Sequence, residues 1–187
     1  PSSVTGFSYS ARFWLLIVPD SLSILCSIFL LYHYLFNRKL RKALHNHIII
    51  IILLLGLFFE LTDVLWTCHY YYFRYTLIQT PAFALLWTFI DYAVYNCQLM
   101  LFSLATIERH ILVFHDQWLT TAKKRFLIHY LPIAAVLTFY LLYYSILFFV
   151  PHCSITFDYS KLYGLSGVHC VYTNPVIPKF GLFFQGI

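Results

Sequence analysis

The sequence predicts an all-α fold, a bundle of transmembrane helices, and three observations carry the prediction. Four apolar stretches each reach the roughly 20 residues that a helix needs to cross the hydrocarbon core of a bilayer. Hydrophobic residues make up 61% of the 187-residue chain and charged ones only 10%, too few to solvate the surface of a soluble globule. Lysine and arginine collect in alternate connections between the stretches, as in a chain threaded back and forth through a membrane. On such a chain the formal charge of +5 points to an anionic leaflet and not to nucleic acid.

The first predicted span runs from Phe13 to Phe36. Asp20, one residue past Pro19 in its first turns, reads as a solvated helix start, where an acid meets the positive end of the helix dipole. The second span runs from His47 to Cys68. Its Glu60 and Asp63, three residues apart, share one helical face and can point into a single cavity. An ionised side chain costs at least about 2.5–3.5 kcal/mol at the bilayer centre, so both must face protein or water. The third span, Pro81 to Val113, exceeds the hydrocarbon thickness and is expected to tilt or to project into water. The fourth runs from Phe126 to Val150. Residues 1–187 form one membrane domain, with a connection at 151–179 and another apolar run opening at 180–187.

Arg38, Lys39, Arg41 and Lys42 separate the first two spans, and Lys123, Lys124 and Arg125 separate the last two. The opposite connections hold Arg74, then Lys161 and Lys179. The asymmetry puts the two basic connections in the cytoplasm and the N-terminus outside, in a multi-pass protein of the cell membrane. Tyr70, Tyr71, Tyr72, Phe73 and Tyr75 suit an outer aromatic belt, since rings with a polar end prefer the headgroup zone. Pro1-Ser2-Ser3 leads into no short apolar core behind a charged n-region, so no signal peptide is expected.

Cys26 and Cys97 lie inside spans, where a free thiol behaves as a small apolar residue. Cys68 closes span two. Cys153 and Cys170 flank the last outer connection, in the compartment where disulfides persist. A Cys153–Cys170 bridge would close a loop of about 18 residues and contribute about 3 kcal/mol on a chain-entropy account.

Span three carries the most information. Steps of three or four along it give Ala84, Trp87, Asp91, Tyr95, Gln98, Phe102, Ala105 and Arg109, one continuous stripe. Asp91 and Arg109 are five turns apart, so an acid near one mouth and a guanidinium near the other share a face.

Ala105-Thr106-Ile107-Glu108-Arg109-His110-Ile111-Leu112-Val113, at the inner end of the third span, resembles the acid-Arg-aromatic signature of rhodopsin-like G-protein-coupled receptors. The N-out topology, the basic connections and the cysteine-bearing outer connection extend the resemblance over the whole chain, as helices one to four and the start of a fifth. The resemblance implies that Glu108 pairs with Arg109 at rest, and that Arg109 turns toward a heterotrimeric G protein on activation. His110 stands where the family usually has tyrosine. Asp91, flanked by Tyr95 and Trp87, stands where receptors for amines and some peptides bind a ligand cation. A desolvated carboxylate with aromatic walls suits an ammonium group. The family's usual cysteine at the outer end of helix three is Ala84 here, so Cys170 would pair with Cys153 or Cys68. Counting from Asn46, the family's sodium-binding aspartate is Gly56. The resemblance implies neither cofactor nor metal.

Other classes leave different traces. A voltage sensor needs arginines at every third position of the fourth span, and none occurs between Leu131 and Val150. A tetraspanin-like scaffold needs cytoplasmic termini and a long cysteine-rich second outer loop. A transporter or membrane-embedded enzyme would draw on His33, His47, Glu60, Asp63 and His69, which lack the tight spacing of a helical metal pair.

Overall fold

A computed structural model of the chain describes residues 8–42, 44–114, 121–149 and 156–164. Its helices are α1 (Tyr9–Phe36), α2 (Arg38–Lys42), α3 (Leu44–Phe59), α4 (Leu65–Phe73), α5 (Pro81–Phe114), α6 (Ala122–Arg125) and α7 (Leu131–Phe149). Two wider π turns, Glu60–Val64 and Phe126–Tyr130, join α3 to α4 and α6 to α7 without breaking the rod. Four rods therefore result, each long and apolar enough to cross a membrane: Tyr9–Phe36, Asn46–Phe73, Pro81–Phe114 and Lys123–Phe149. The second continues five residues past the predicted end at Cys68, because the aromatic run Tyr70–Phe73 stays helical and does not form a loop. Val150 lies outside the described residues.

Local chemistry explains where the rods begin and end. Ser8 caps α1, its hydroxyl accepting from the Ala11 amide at 3.3 Å, which satisfies one of the orphan amides of a first turn. Asn37 turns extended and ends α1, and its side-chain oxygen accepts from the Lys39 amide at 3.1 Å to start α2. Asn46 ties the same end together by donating to the Leu40 carbonyl at 2.8 Å. Pro81 opens α5, where a missing amide hydrogen is harmless, and the Thr80 hydroxyl accepts from the Phe83 amide at 3.4 Å.

The rods pack in chain order, α1 against α3 and α4, α3 against α5, and α5 against α7. The core is Ile48 and Ile52 of α3, Ala93, Cys97, Leu101 and Ala105 of α5, and Ile133, Tyr140, Tyr144, Leu147 and Phe148 of α7. Small residues on α5 opposite large ones on α7 let the backbones approach, the usual way to gain contact where lipid removes the hydrophobic drive. Most other large apolar side chains, among them Leu22, Leu25 and Phe29 of α1, point outward. Cys97 is buried as expected, while Cys26 is exposed on the outward face of α1.

Gly56 lets α3 lie close against α5, since a Cβ there would stand 3.0 Å from Gln98 Nε2. Gly56→Ala should be absorbed by a small movement of the Gln98 amide. Gly56→Val should force the helices apart and cost about 1–3 kcal/mol, the range for overpacking. Thermal unfolding of the two variants in detergent checks this, and equal stability of both would contradict the close approach.

Two expectations about intramembrane acids are corrected. Asp20 is not a solvated helix start: α1 begins at Tyr9, so Asp20 lies about three turns inside it and is only 7% exposed. Glu60 and Asp63 do not share a cavity either. Glu60 accepts a hydrogen bond from Ser23 of α1, and Asp63 accepts one from Trp87 of α5. The π turn that holds both residues is wider than an α turn, so side chains three apart no longer return to one face.

Candidate functional site

One end of the bundle carries Arg74 and residues 156–164, and there four polar or aromatic side chains converge. Trp87 and Asp91 stand one turn apart on α5, and the π turn of the second rod aims Asp63 at them. Trp87 is completely buried, and its indole Nε1 donates to Asp63 Oδ1 at 2.7 Å. Trp66 and Phe83 wall the indole, with ring centroids 6.1 and 6.0 Å from it. From the connection comes Tyr163, whose ring lies edge-on to Trp87 at 5.2 Å. Its hydroxyl donates to Asp91. Burial, with Asp91 and Asp63 beside it, pushes the Tyr163 phenol well above its ordinary pKa, so it stays protonated and remains a donor.

The connection is seated by main-chain bonds. Tyr70 donates from its hydroxyl to the Ser160 carbonyl at 3.0 Å, and the Thr76 amide donates to the Tyr159 carbonyl at 3.1 Å. Asp158 accepts from the Ser160 amide and hydroxyl and pairs with Lys161 at 3.4 Å. Those hydrogen bonds from Ser160, and then Lys161, hold its carboxyl below the usual range. Tyr163 and Gly164 both take left-handed backbone angles, with φ of 62° and 69°. For a bulky residue this is a strained position, held here because the phenol is anchored on Asp91. A Cβ on Gly164 would meet Ala84 Cβ at 3.3 Å and Tyr159 at 3.2 Å. The small residue at position 84 is what lets this turn sit down on α5.

Of the predicted ligand-binding trio, the fold brings Asp91 and Trp87 together with Asp63 and Tyr163. Tyr95 stands apart, 52% exposed with Phe59 at 6.5 Å. Trp87 is a sealed partner of Asp63 and not an open wall beside Asp91. Cys153 and Cys170 lie outside the described residues. Cys68 is a free, buried thiol.

The opposite end carries α2 and α6, and its centre is a buried pair of a carboxyl and an imidazole. Glu108 of α5 is 6% exposed and His129 of the second π turn 1%. Glu108 Oε1 and His129 Nδ1 stand 2.7 Å apart, at ion-pair distance though not in hydrogen-bond alignment. His47 packs its ring 5.6 Å from that of His129. Its Nε2 donates to the Arg41 carbonyl at 3.0 Å, which leaves Nδ1 to face the Tyr130 hydroxyl at 3.4 Å.

This corrects the expected Glu108–Arg109 pair. Adjacent residues on an α-helix project about 100° apart, so when Glu108 turns into the core Arg109 turns out of it. Arg109 is exposed, at the edge of a cavity of about 300 Å³ lined by Tyr34, Ile52, Phe102 and Thr106 among others. His110 is exposed too and lies against Phe114, with ring centroids 4.7 Å apart. Sequence reasoning passed over His129, although a lone histidine opening an apolar span was a usable signal. Tyr163 gave none, being one aromatic residue in a connection full of them.

Among the described residues no three or more His, Cys, Asp or Glu side chains stand together as a metal site would require. The chain matches no protein-family model and no curated protein.

Proposed function

We propose that this protein is a membrane receptor that passes an extracellular ligand signal to a cytoplasmic G protein, with α5 as the element that links the two sides. One observation carries the reading. A single unbroken helix of 34 residues holds a loop-covered cluster of acid and aromatic side chains at one end. At its other end it holds an exposed arginine beside the buried Glu108–His129 pair. In this reading the end with Tyr163 faces outward and the ends of α2 and α6 face the cytoplasm, as the lysine and arginine asymmetry favours. Asp63 and Asp91 have neutral donors in Trp87 and Tyr163 and no cation beside them among the described residues, so a ligand bearing an amine complements the site. At the inner end a buried carboxylate holds the helix in register with the fourth rod, and Arg109 is free to meet acceptors on a transducer.

The test is nucleotide exchange on G proteins in cells expressing the complete gene product. Glu108→Gln should raise basal exchange, because removing the charge that faces His129 loosens the resting packing, and about 1.4 kcal/mol shifts a two-state ratio tenfold. Arg109→Ala should abolish coupling and leave surface expression intact. Asp91→Asn should weaken an amine ligand and spare basal exchange. If Glu108→Gln and Arg109→Ala both reach the surface and leave exchange unchanged, the receptor reading fails.

A further inference from the structure

At the same end of the bundle as Tyr163, but on its flank, the start of α1 meets the end of α4, and two arginines gather there. The Arg74 guanidinium lies 4.0 Å from the centroid of the Tyr9 ring. The Arg12 guanidinium lies 6.0 Å from that same ring and 5.9 Å from the ring of Tyr71. Both arginines are exposed. The ion pairs among the described residues are Glu108 with His129 and Asp158 with Lys161, so neither guanidinium has a carboxylate partner there. Two like charges drawn to one ring repel each other, and an exposed cation–π contact returns only about 0.5–1 kcal/mol. The arrangement is short of a negative charge.

Three further features shape the place for one. Arg74 occupies the left-handed position that ends α4, with φ of 66°, where glycine or asparagine is the usual choice; a bulky cation there is held against backbone preference. Between the two helices lies a cavity of about 140 Å³ whose lining includes Tyr9, Ser10, Trp14, Tyr71, Tyr72 and Arg74. At about 30 Å³ per water, that is room for a tetrahedral oxyanion, with hydroxyl groups and a guanidinium in the wall. Trp14 and Tyr72 are 62% and 65% exposed, and amphipathic rings turned outward at a helix end mark the headgroup layer of a membrane. These arginines stand at the end opposite α2 and α6, so the basic connections do not account for them.

We infer that the Arg74–tyrosine pocket, with Arg12 beside it on the Tyr9 and Tyr71 rings, binds an oxyanion of the phosphate class, supplied by a phospholipid headgroup or by a soluble phosphate. Arginine suits this better than lysine, because its planar fork meets two phosphate oxygens at once. The site involves neither Asp91 nor Glu108, so it is independent of the receptor reading.

The experiment takes the full chain through two arms. In the first, detergent-purified and delipidated protein is titrated with inorganic phosphate, with melting temperature as the readout. In the second, protein in nanodiscs of phosphatidylglycerol and phosphatidylcholine is released for native mass spectrometry and retained phospholipid is counted. Response in the second arm alone assigns the site to lipid, and response in the first to a soluble anion. Each supports the inference when Arg12→Gln with Arg74→Gln weakens it. Loss of one charged hydrogen-bonding partner should lower affinity about tenfold, or about 1.4 kcal/mol, and Arg74→Lys should fall between the parent and Arg74→Gln. No response of the parent protein in either arm overturns the inference, and so does a response that Arg74→Gln and Arg74→Lys leave unchanged. Where the double variant fails to fold, the single variants Arg74→Gln and Arg74→Lys decide.

Discussion

Replacing His129 with leucine should cost about 1–3 kcal/mol of stability, the range for leaving a buried polar group without the partner that faces it. The physical origin is Glu108. With His129 gone, the carboxyl group is left in a cavity of about 240 Å³ whose other walls, among them Ile48, Leu104, Ile107 and Ile133, are apolar. Glu108→Gln should cost less, since a neutral amide is cheaper to bury than a charge. Combining His129→Leu with Glu108→Leu should recover most of the loss, because an apolar pair of similar volume leaves no buried polar group without a partner. The molecule supplies its own probe: Cys68 and Cys97 are each 3% exposed, so a thiol-reactive dye reports their exposure on heating once the other three cysteines, Cys26, Cys153 and Cys170, are changed to serine. The double-mutant cycle should give an interaction of at least about 1 kcal/mol. Strict additivity of the two single losses would show that the pair does not act as a unit.

Trp87→Ala, at the other end, should be more damaging, at about 3–5 kcal/mol for an enclosed aromatic side chain. Two effects combine there. The indole volume is lost from between Trp66, Phe83 and Tyr163, and Asp63 loses the donor that stands 2.7 Å from its oxygen. Trp87→Phe separates them: it keeps a ring and removes only the N–H, so its cost should be about 1–3 kcal/mol, that of an unsatisfied buried acceptor. Adding Asp63→Leu to Trp87→Phe should restore part of it. Because the Tyr163 ring rests on the indole, Trp87→Ala should also free the connection, seen as faster proteolysis after Lys161 under native conditions. Unchanged cleavage together with a loss below about 1 kcal/mol would show that the cluster is not what seats the connection.

Both predictions rest on contacts between rods, and the sequence revealed such contacts unevenly. The stripe on α5 was legible because a 3.6-residue period needs only spacing, and Trp87 and Asp91 do lie together. The burial of Glu108 was not, because adjacent charged residues at a helix end read equally well as a pair or as two side chains pointing apart. Asp20 was misread for a related reason: Pro19 suggested a helix start, but the cap is Ser8, and in an apolar span the need to bond every backbone group internally keeps the rod helical through a proline. Glu60 and Asp63 diverge because a π turn intervenes, and π turns have no compositional mark.

The sequence by itself determined the class of the molecule: an all-helical chain with four apolar rods, basic connections on one side and scarce charges that must find partners. Those properties follow from length, hydropathy and charge count, which act along the chain and need no knowledge of neighbours. Only the tertiary structure decided the partners: His129 for Glu108, Trp87 for Asp63, Tyr163 for Asp91, and the Tyr9 ring shared by Arg12 and Arg74. A buried polar group is satisfied by whichever side chain the packing of another rod or connection brings within about 3 Å, and that choice depends on helix rotation and turn width, which single-residue chemistry leaves open.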